Sequence, residues 1–468
     1  MRLSLRAIAI AALVTVLSVK CAYAANLSHA ALPDIIVTAA PGYQPLAALR
    51  GAERFPKGAQ LLFIHNGSTE PLAPQFWATA DANVSLDGQR VLFAGKQKQT
   101  DHWQIWEMTL RGRAPRRLFA GPEDAIRPMY LSSGQFVFAR HTALGFQIVV
   151  AGTQSTEPFA PIDANASAKL LPLTYLPTSA IPDDVLLDGR ILFESYFPLG
   201  QGTTPEEYLV YADGSGVESY RCDHGRARWG GHQLASGDVV FTHGSSLARF
   251  TSPLAHEAPV AAPHVDYAGA VAETPSGEWL ASTRPSADAH YALRLITPGS
   301  PSIRTLLSRS DSNLLEPVLV APRTRPHRHP SALHPWNYAN LLVLDSRLSR
   351  EGDLKAAPAS VRLETLDPQG RTTSNGTAPV DPDGSFFVQV PGDRPIRFVL
   401  LDQHGKVTRQ EHGWFWIRAG EQRICVGCHT GPERASENRV PAVLMRTTTP
   451  FDLTGAKTAT PESASKGN

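Results

Sequence analysis

The sequence lacks an excess of charge of either sign. Lys plus Arg number 44 and Asp plus Glu 43 in 468 residues, a net charge of +1. That balance excludes the basic face with which a chain holds nucleic acid. It also lacks a long apolar run. The stretch Ala7 to Val19 is about 13 residues, short of the ~20 that a helix needs to cross a bilayer, so no retained membrane span is expected. Cysteine and methionine are scarce, at four each. There is no second C-x-x-C pair, so a four-thiolate zinc site is excluded. Charged residues make up only 19%, whereas proline is abundant at 38. Proline-rich loops between many short apolar runs point to an all-β protein, and the length allows two or three domains.

Residues 1–24 have the form of a secretory signal. Arg2 and Arg6 precede the apolar run, and Ala22-Tyr23-Ala24 is a small-x-small cleavage site. Cys21 would suit a lipoprotein, but Lys20 before it is not the small residue such processing uses, so Cys21 is expected to leave with the signal. Loss of Arg2, Arg6 and Lys20 takes Lys plus Arg from 44 to 41 against 43 acidic residues. The expected home is the periplasm.

Two of the three remaining cysteines stand in Cys425-Val426-Gly427-Cys428-His429, which reads C-x-x-C-H. This is the short signature of c-type haem attachment: each thiol adds across a haem vinyl group and the next residue, His429, can ligate the iron from below. Export into an oxidising compartment agrees with that use. Two other uses stay open. The pair could be a redox disulfide, although a strand and turn precede it rather than a βαβ unit. It could also be half of a Cys₂His₂ zinc site with His327 and His329. Cys222 is left over, either a buried thiol or a reactive one.

A glycine turn followed by an apolar strand recurs six times, with glycines at 58, 88, 134, 189, 237 and 277. The run Leu86-Asp87-Gly88-Gln89-Arg90-Val91-Leu92-Phe93 is typical, and a second strand often follows some 12 residues later, as in Trp103 to Met108. Glycine supplies the positive φ of the turn, and Val, Leu and Phe suit an inner strand. Spacings mostly between 40 and 55 residues with paired strands predict a β-propeller of five or six blades. The repeats resemble those of TolB-like propellers. Arg127, His141, Arg228, Trp229, His232 and His243 sit near strand ends and are candidates to face its channel or to be ordinary loop residues.

The predicted organisation is a signal at 1–24, an arm at 25–52, the propeller at 53–322, and a Pro/His-rich linker at 323–338. A small β-sandwich-like domain bearing the haem c segment follows at 339–450, with a disordered tail at 451–468. Trp414, Phe415 and Trp416 could wall a haem or fill the sandwich core. The sixth iron position has three readings: Met445, the only methionine of the domain; His412 or His404; or vacancy.

Pro382-Asp383-Gly384-Ser385-Phe386-Phe387-Val388, Leu400-Leu401-Asp402, Trp414-Phe415-Trp416-Ile417-Arg418 and the C-x-x-C-H itself resemble the haem-bearing middle domain of the hydrazine synthase alpha subunit family. Members place this domain after a TolB-like propeller. The resemblance implies one covalent haem c on Cys425 and Cys428. In that family a metal ion can take the motif histidine while a downstream tyrosine holds the iron. No tyrosine follows His429, which favours His429 as the proximal ligand. Nor is there a second C-x-x-C-H for the family's second haem c. The expectation is a periplasmic monohaem c-type protein that transfers electrons to a redox partner protein, with the propeller as docking or ligand-binding surface. A haem enzyme acting on a small nitrogen or oxygen compound is the alternative, with a non-haem envelope scaffold as the third.

Overall fold

The computed structural model describes residues 32–154, 170–197, 202–221, 223–252, 254–367, 369–428, 430, 434–435 and 437–455. The expected signal, Cys222 and His429 lie outside these residues.

The described strands form six propeller blades, each a four-stranded antiparallel sheet apart from an extra short strand in the sixth. The runs picked out by the glycine repeat are the second strands of blades 2 to 6, Arg90–Lys96, Phe136–Thr142, Ile191–Phe197, Val239–His243 and Trp279–Arg284, and the third strand of blade 1, Gln60–His65. All six turn glycines have positive φ, between 74° and 92°. Third strands follow where expected, as at Gln104–Thr109 and Ala292–Ile296.

The first, innermost strands carry no such signal. They are Asn313–Val320 in blade 1, Ala78–Val84, Ala125–Tyr130, Ala180–Val185 and Arg228–Gln233 in blades 2 to 5, and the split pair Asp266–Tyr267 and Ala272–Glu273 in blade 6. Register slips at a matching point of blades 1 to 5, opposite Val37 in blade 1 and at Ala80/Asn83, Ile126/Met129, Pro182/Asp184 and Trp229/His232. These are β-bulges, which bend a strand and re-aim its side chains. At them Asp81, Arg127 and Glu316 adopt φ of 59°, 54° and 54°, a left-handed conformation that costs a non-glycine residue energy.

Blade 1 is built from both ends of the ring. Asp34–Ala40 pairs antiparallel with Asn313–Val320 on one side and Gln60–His65 on the other. The span 25–52, read as an arm, therefore contributes a propeller strand. Its apolar run, Ile35 to Ala40, is buried, yet it lacks the glycine turn that marks the repeats.

Two segments close the ring's ends. At one end the loop 41–59 inserts Ala48, Leu49 and Phe55 into a cluster shared by several blades. At the other, the Pro-rich segment after Val320 runs across the turns between first and second strands. Arg323 N–H donates to Leu86 O (3.1 Å) and His327 N–H to Leu187 O (2.8 Å). A Cβ on Gly189 would collide with the His327 carbonyl, so the turn glycine also lets the strap pass.

The second domain is a sandwich of two four-stranded sheets. One orders Gln422–Cys425, Tyr338–Val343, Phe386–Pro391 and Phe451–Asp452; the other orders Thr372–Pro379, Ser360–Leu366, Ile396–Leu401 and Val407–Gln410. Leu341, Val361, Leu363, Phe386, Val388 and Phe398 form the core between them. Phe451–Asp452 and the buried Leu453 show that the sandwich extends past 450, into the start of the span read as a tail. Trp416 neither walls a cofactor nor fills the sandwich. It is fully buried in the core shared by blades 3 and 4, with its indole N–H donating to Gly214 O at 3.3 Å. It pegs the two domains together. Among the described residues no helix is long and apolar enough to cross a membrane.

Candidate cofactor site

The two cysteines lie where the strand Gln422–Cys425 ends at the edge of its sheet. Parallel pairing with Tyr338–Val343 positions this strand, and the turn after it is pinned to the loop 344–348. Leu344 N–H donates to Cys425 O (2.9 Å), Asp345 N–H to Val426 O (3.1 Å) and Cys428 N–H to Leu348 O (3.0 Å). Gly427 is required by this approach: a Cβ there would lie 2.8 Å from Leu348 Cβ and 2.9 Å from Asp345 O.

Cys428 is buried in the sandwich core and Cys425 is half-buried against it. Both are free thiols. Burial pushes both above the ordinary thiol value, and the negative charge of Glu411 adds to this. They are thus protonated near neutral pH, unlike the low-pKa nucleophile of a disulfide oxidoreductase. A cavity of about 50 Å³ beside the turn is lined by Leu344, Asp345, Leu348, Val426, Glu437, Arg439 and Pro441.

The structure separates several of the candidates read from sequence. His327 and His329 stay on the strap over the propeller, with His329 stacked on Tyr211 at 3.8 Å between ring centroids. Among the described residues no three His, Cys, Asp or Glu side chains are grouped to hold a metal ion, so the zinc pairing with these histidines is not formed. His412 is next to Glu411, whose charge reaches both thiols, and its Nε2 pairs with Glu351 Oε1 at 2.7 Å. Met445 is 78% exposed on the short helix Ala442–Arg446, which starts one residue after the cavity-lining Pro441. His404 occupies the turn at the far end of Val407–Gln410 from Glu411, on the order of 20 Å away along an extended chain.

Residues 356–430 match the hydrazine synthase alpha subunit middle domain. The matched span covers the Ser360–Leu366 sheet, two of the four strands of its partner and the two cysteines. A hydrazine synthase structure from Kuenenia stuttgartiensis superposes on 88% of this chain and 71% of its own, with a TM-score of 0.74 and 16% identity. At that identity the likeness is one of fold, and it takes in the propeller as well as the sandwich. TolB from Acinetobacter baumannii overlaps 61% of this chain and 66% of its own (TM-score 0.42, 13% identity). A putative TolB from Agrobacterium tumefaciens overlaps 59% and 89% (TM-score 0.40, 12% identity). No curated protein matches the chain.

The channel candidates divide. Arg127 and His232 line the central cavity. Arg228 forks onto Asp223 and also meets Glu257, which holds His243. Trp229 packs on Gly269, and His141 lies over the plug at Gly51. Sequence reasoning missed Asp81, Asp183, Arg54 and Glu316. Asp183 and Glu316 share a signal with Arg127, a charged residue next to proline in a weak strand (Pro182-Asp183, Glu316-Pro317, Arg127-Pro128), whereas Asp81 and Arg54 carry none.

Proposed function

We propose that this chain is a periplasmic monohaem c-type protein of hydrazine synthase alpha-like architecture, in which the sandwich holds one covalent haem and passes single electrons to a partner docked on the propeller. The observation that carries the proposal is the pair of free thiols, three positions apart, on a turn fixed by three backbone hydrogen bonds. The donor set fits: Cys425 and Cys428 would each add S–H across a vinyl double bond, sulfur to one carbon and hydrogen to the other, so no oxidant is consumed. Haem supplies one-electron chemistry at its iron when bound. This chain's residues hold the attachment turn rigid through Gly427 and the 344–348 loop and keep both sulfurs protonated, and His412 and Met445 are the candidates for the sixth iron position. His429 is the proposed proximal ligand.

A second reading is favoured by the family match at 356–430. In it the sixth iron position is open and a small nitrogen compound reacts there. One experiment serves both. Protein matured in a cell able to attach haem is denatured and stained for haem, beside the Cys425→Ala, Cys428→Ala variant. Colour is expected with the wild type and not with the variant, and a colourless wild type at its apo mass overturns both readings. A low-spin six-coordinate spectrum supports transfer; a high-spin ferric form that binds cyanide supports reaction.

A further inference from the structure

Trp416 is one of three side chains with which the cysteine segment grips a single turn of the propeller. That turn lies in blade 4, between Thr204–Val210 and Glu218–Ser219. It closes on itself: Tyr211 N–H donates to Ser215 O at 3.0 Å, and Gly214 N–H to Tyr211 O at 2.9 Å. Gly216 holds a φ of 65°, and a Cβ there would lie 2.8 Å from the Tyr211 ring. The Trp416 indole N–H takes Gly214 O, Glu421 Oε1 accepts the Gly216 N–H at 3.2 Å, and an Arg423 guanidinium N–H donates to Val217 O. On its other side the turn meets the strap, where Tyr211 stacks on His329.

Arg423 has a second neighbour. Side chains alternate along an extended strand, so on Gln422–Cys425 the residues Arg423 and Cys425 project from the same face. The Arg423 guanidinium hydrogen-bonds the Cys425 sulfur, and its charge works against the upward push that burial gives this thiol. Glu411 and Glu421 act on the same thiol in the opposite sense. At Cys428 the leading charges are those of Glu411 and Arg409 instead. One guanidinium therefore bridges a propeller carbonyl and one of the two attachment sulfurs.

We propose that Arg423 is a positioning residue for the cofactor, tying the Cys425 sulfur to the blade 4 turn and fixing a positive charge beside the ring which that sulfur would carry. The inference rests on the covalent haem proposed above. A cation beside the ring favours the reduced iron, which holds one positive charge fewer. The propeller thus sets the potential of a group bound to the other domain, through a turn that the strap also touches.

The test uses the full chain matured in a cell able to attach haem. Haem content is read by stain, and the midpoint potential by titration with dithionite, which gives the iron its electron, and ferricyanide, which takes it back. Arg423→Met keeps the aliphatic stem and removes the charge and the donors. It is expected to shift the reduction equilibrium about tenfold toward the ferric form, about 59 mV for one electron. Arg423→Lys restores the charge and is expected to recover most of that shift. Arg418 spans the same junction between Tyr175 and Asp393. Arg418→Met is therefore the control, expected to loosen the junction and leave the equilibrium within about twofold of wild type. Arg423→Gln decides the matter should Arg423→Met fail to fold. Normal haem content with an unmoved potential in a neutral Arg423 variant, or an equal shift in Arg418→Met, would overturn the proposal alone. A wild type without haem colour would overturn it together with the reading on which it rests, and the stain shows this before any potential is measured.

Discussion

The ring centre and the edge of the sandwich both bury titratable groups, by opposite means. In the channel Asp81 and Glu316 are paired with the guanidinium groups of Arg54 and Arg127, on a backbone bent into left-handed φ at Asp81, Arg127 and Glu316. At the sandwich edge the groups are neutral thiols on a turn that needs only one glycine and three backbone hydrogen bonds. The channel thus depends on partners distant in sequence, whereas the thiol turn is organised by its own neighbours. Three of the non-glycine residues in left-handed φ gather at the ring centre, so backbone strain is concentrated there.

The largest test of that contrast is Arg54→Met, which leaves Asp81 and Glu316 without their main counter-charge. A loss of about 3–5 kcal/mol is expected in urea unfolding, as for other broken buried pairs. A loss under about 1 kcal/mol would mean the channel acids are already neutral, and the contrast with the thiols would vanish. Next comes Gly427→Ala, where the new methyl meets Leu348 and Asp345 O; overpacking is expected to cost about 1–3 kcal/mol and to lower the fraction of chains that acquire haem. Equal haem content in the variant would show that the turn's geometry is not what presents the sulfurs.

A smaller effect is expected from pH. Glu207 has a folded value of about 8, above its ordinary 4.5, because of burial and the nearby Glu194. Between those values the folded ring keeps a proton that the unfolded chain releases, so stability falls as pH rises from 4.5 through 8 and levels off above. Glu207→Gln removes that dependence. Its stability relative to wild type should rise between pH 5 and pH 8.5 in urea titrations, and a flat difference would show Glu207 ionised throughout. The smallest effect concerns the thiols. In protein made without haem, iodoacetamide labelling of Cys425 and Cys428 at neutral pH, followed by peptide mass, should be at least about tenfold slower than for a free thiol. Fast labelling would mean a thiolate at the sandwich edge and would revive the redox-disulfide reading.

What the sequence disclosed follows the same division. The second strands of blades 2 to 6 and the third strand of blade 1 were legible because Val, Leu and Phe follow a glycine turn in one continuous stretch, as at Arg90–Lys96. The innermost strands were not: Ala180–Val185 contains Pro182, Asp183 and Asp184, and Arg228–Gln233 contains two glycines, all of which read as loop. The placement of the two thiols together on one turn was legible because they stand three positions apart. The contact between Arg54 and Glu316 joins residues 262 apart, and no local pattern announces it. Trp416 was misassigned because an aromatic beside the motif looks like a cofactor wall until the neighbouring blades are in place.

The first blade also fixes the order in which this protein can be completed. As the chain is made, Asp34–Ala40 emerges early, but its partner on one flank, Asn313–Val320, comes nearly 280 residues later. Until then the growing arc exposes an unsatisfied strand edge, a site open to wrong pairing. The segment carrying the cysteines follows that latch in synthesis. Any chain cut short before Asn313 would lack both the latch and the cysteine segment, so a ring that can shut always has its latch strand made before the thiols appear.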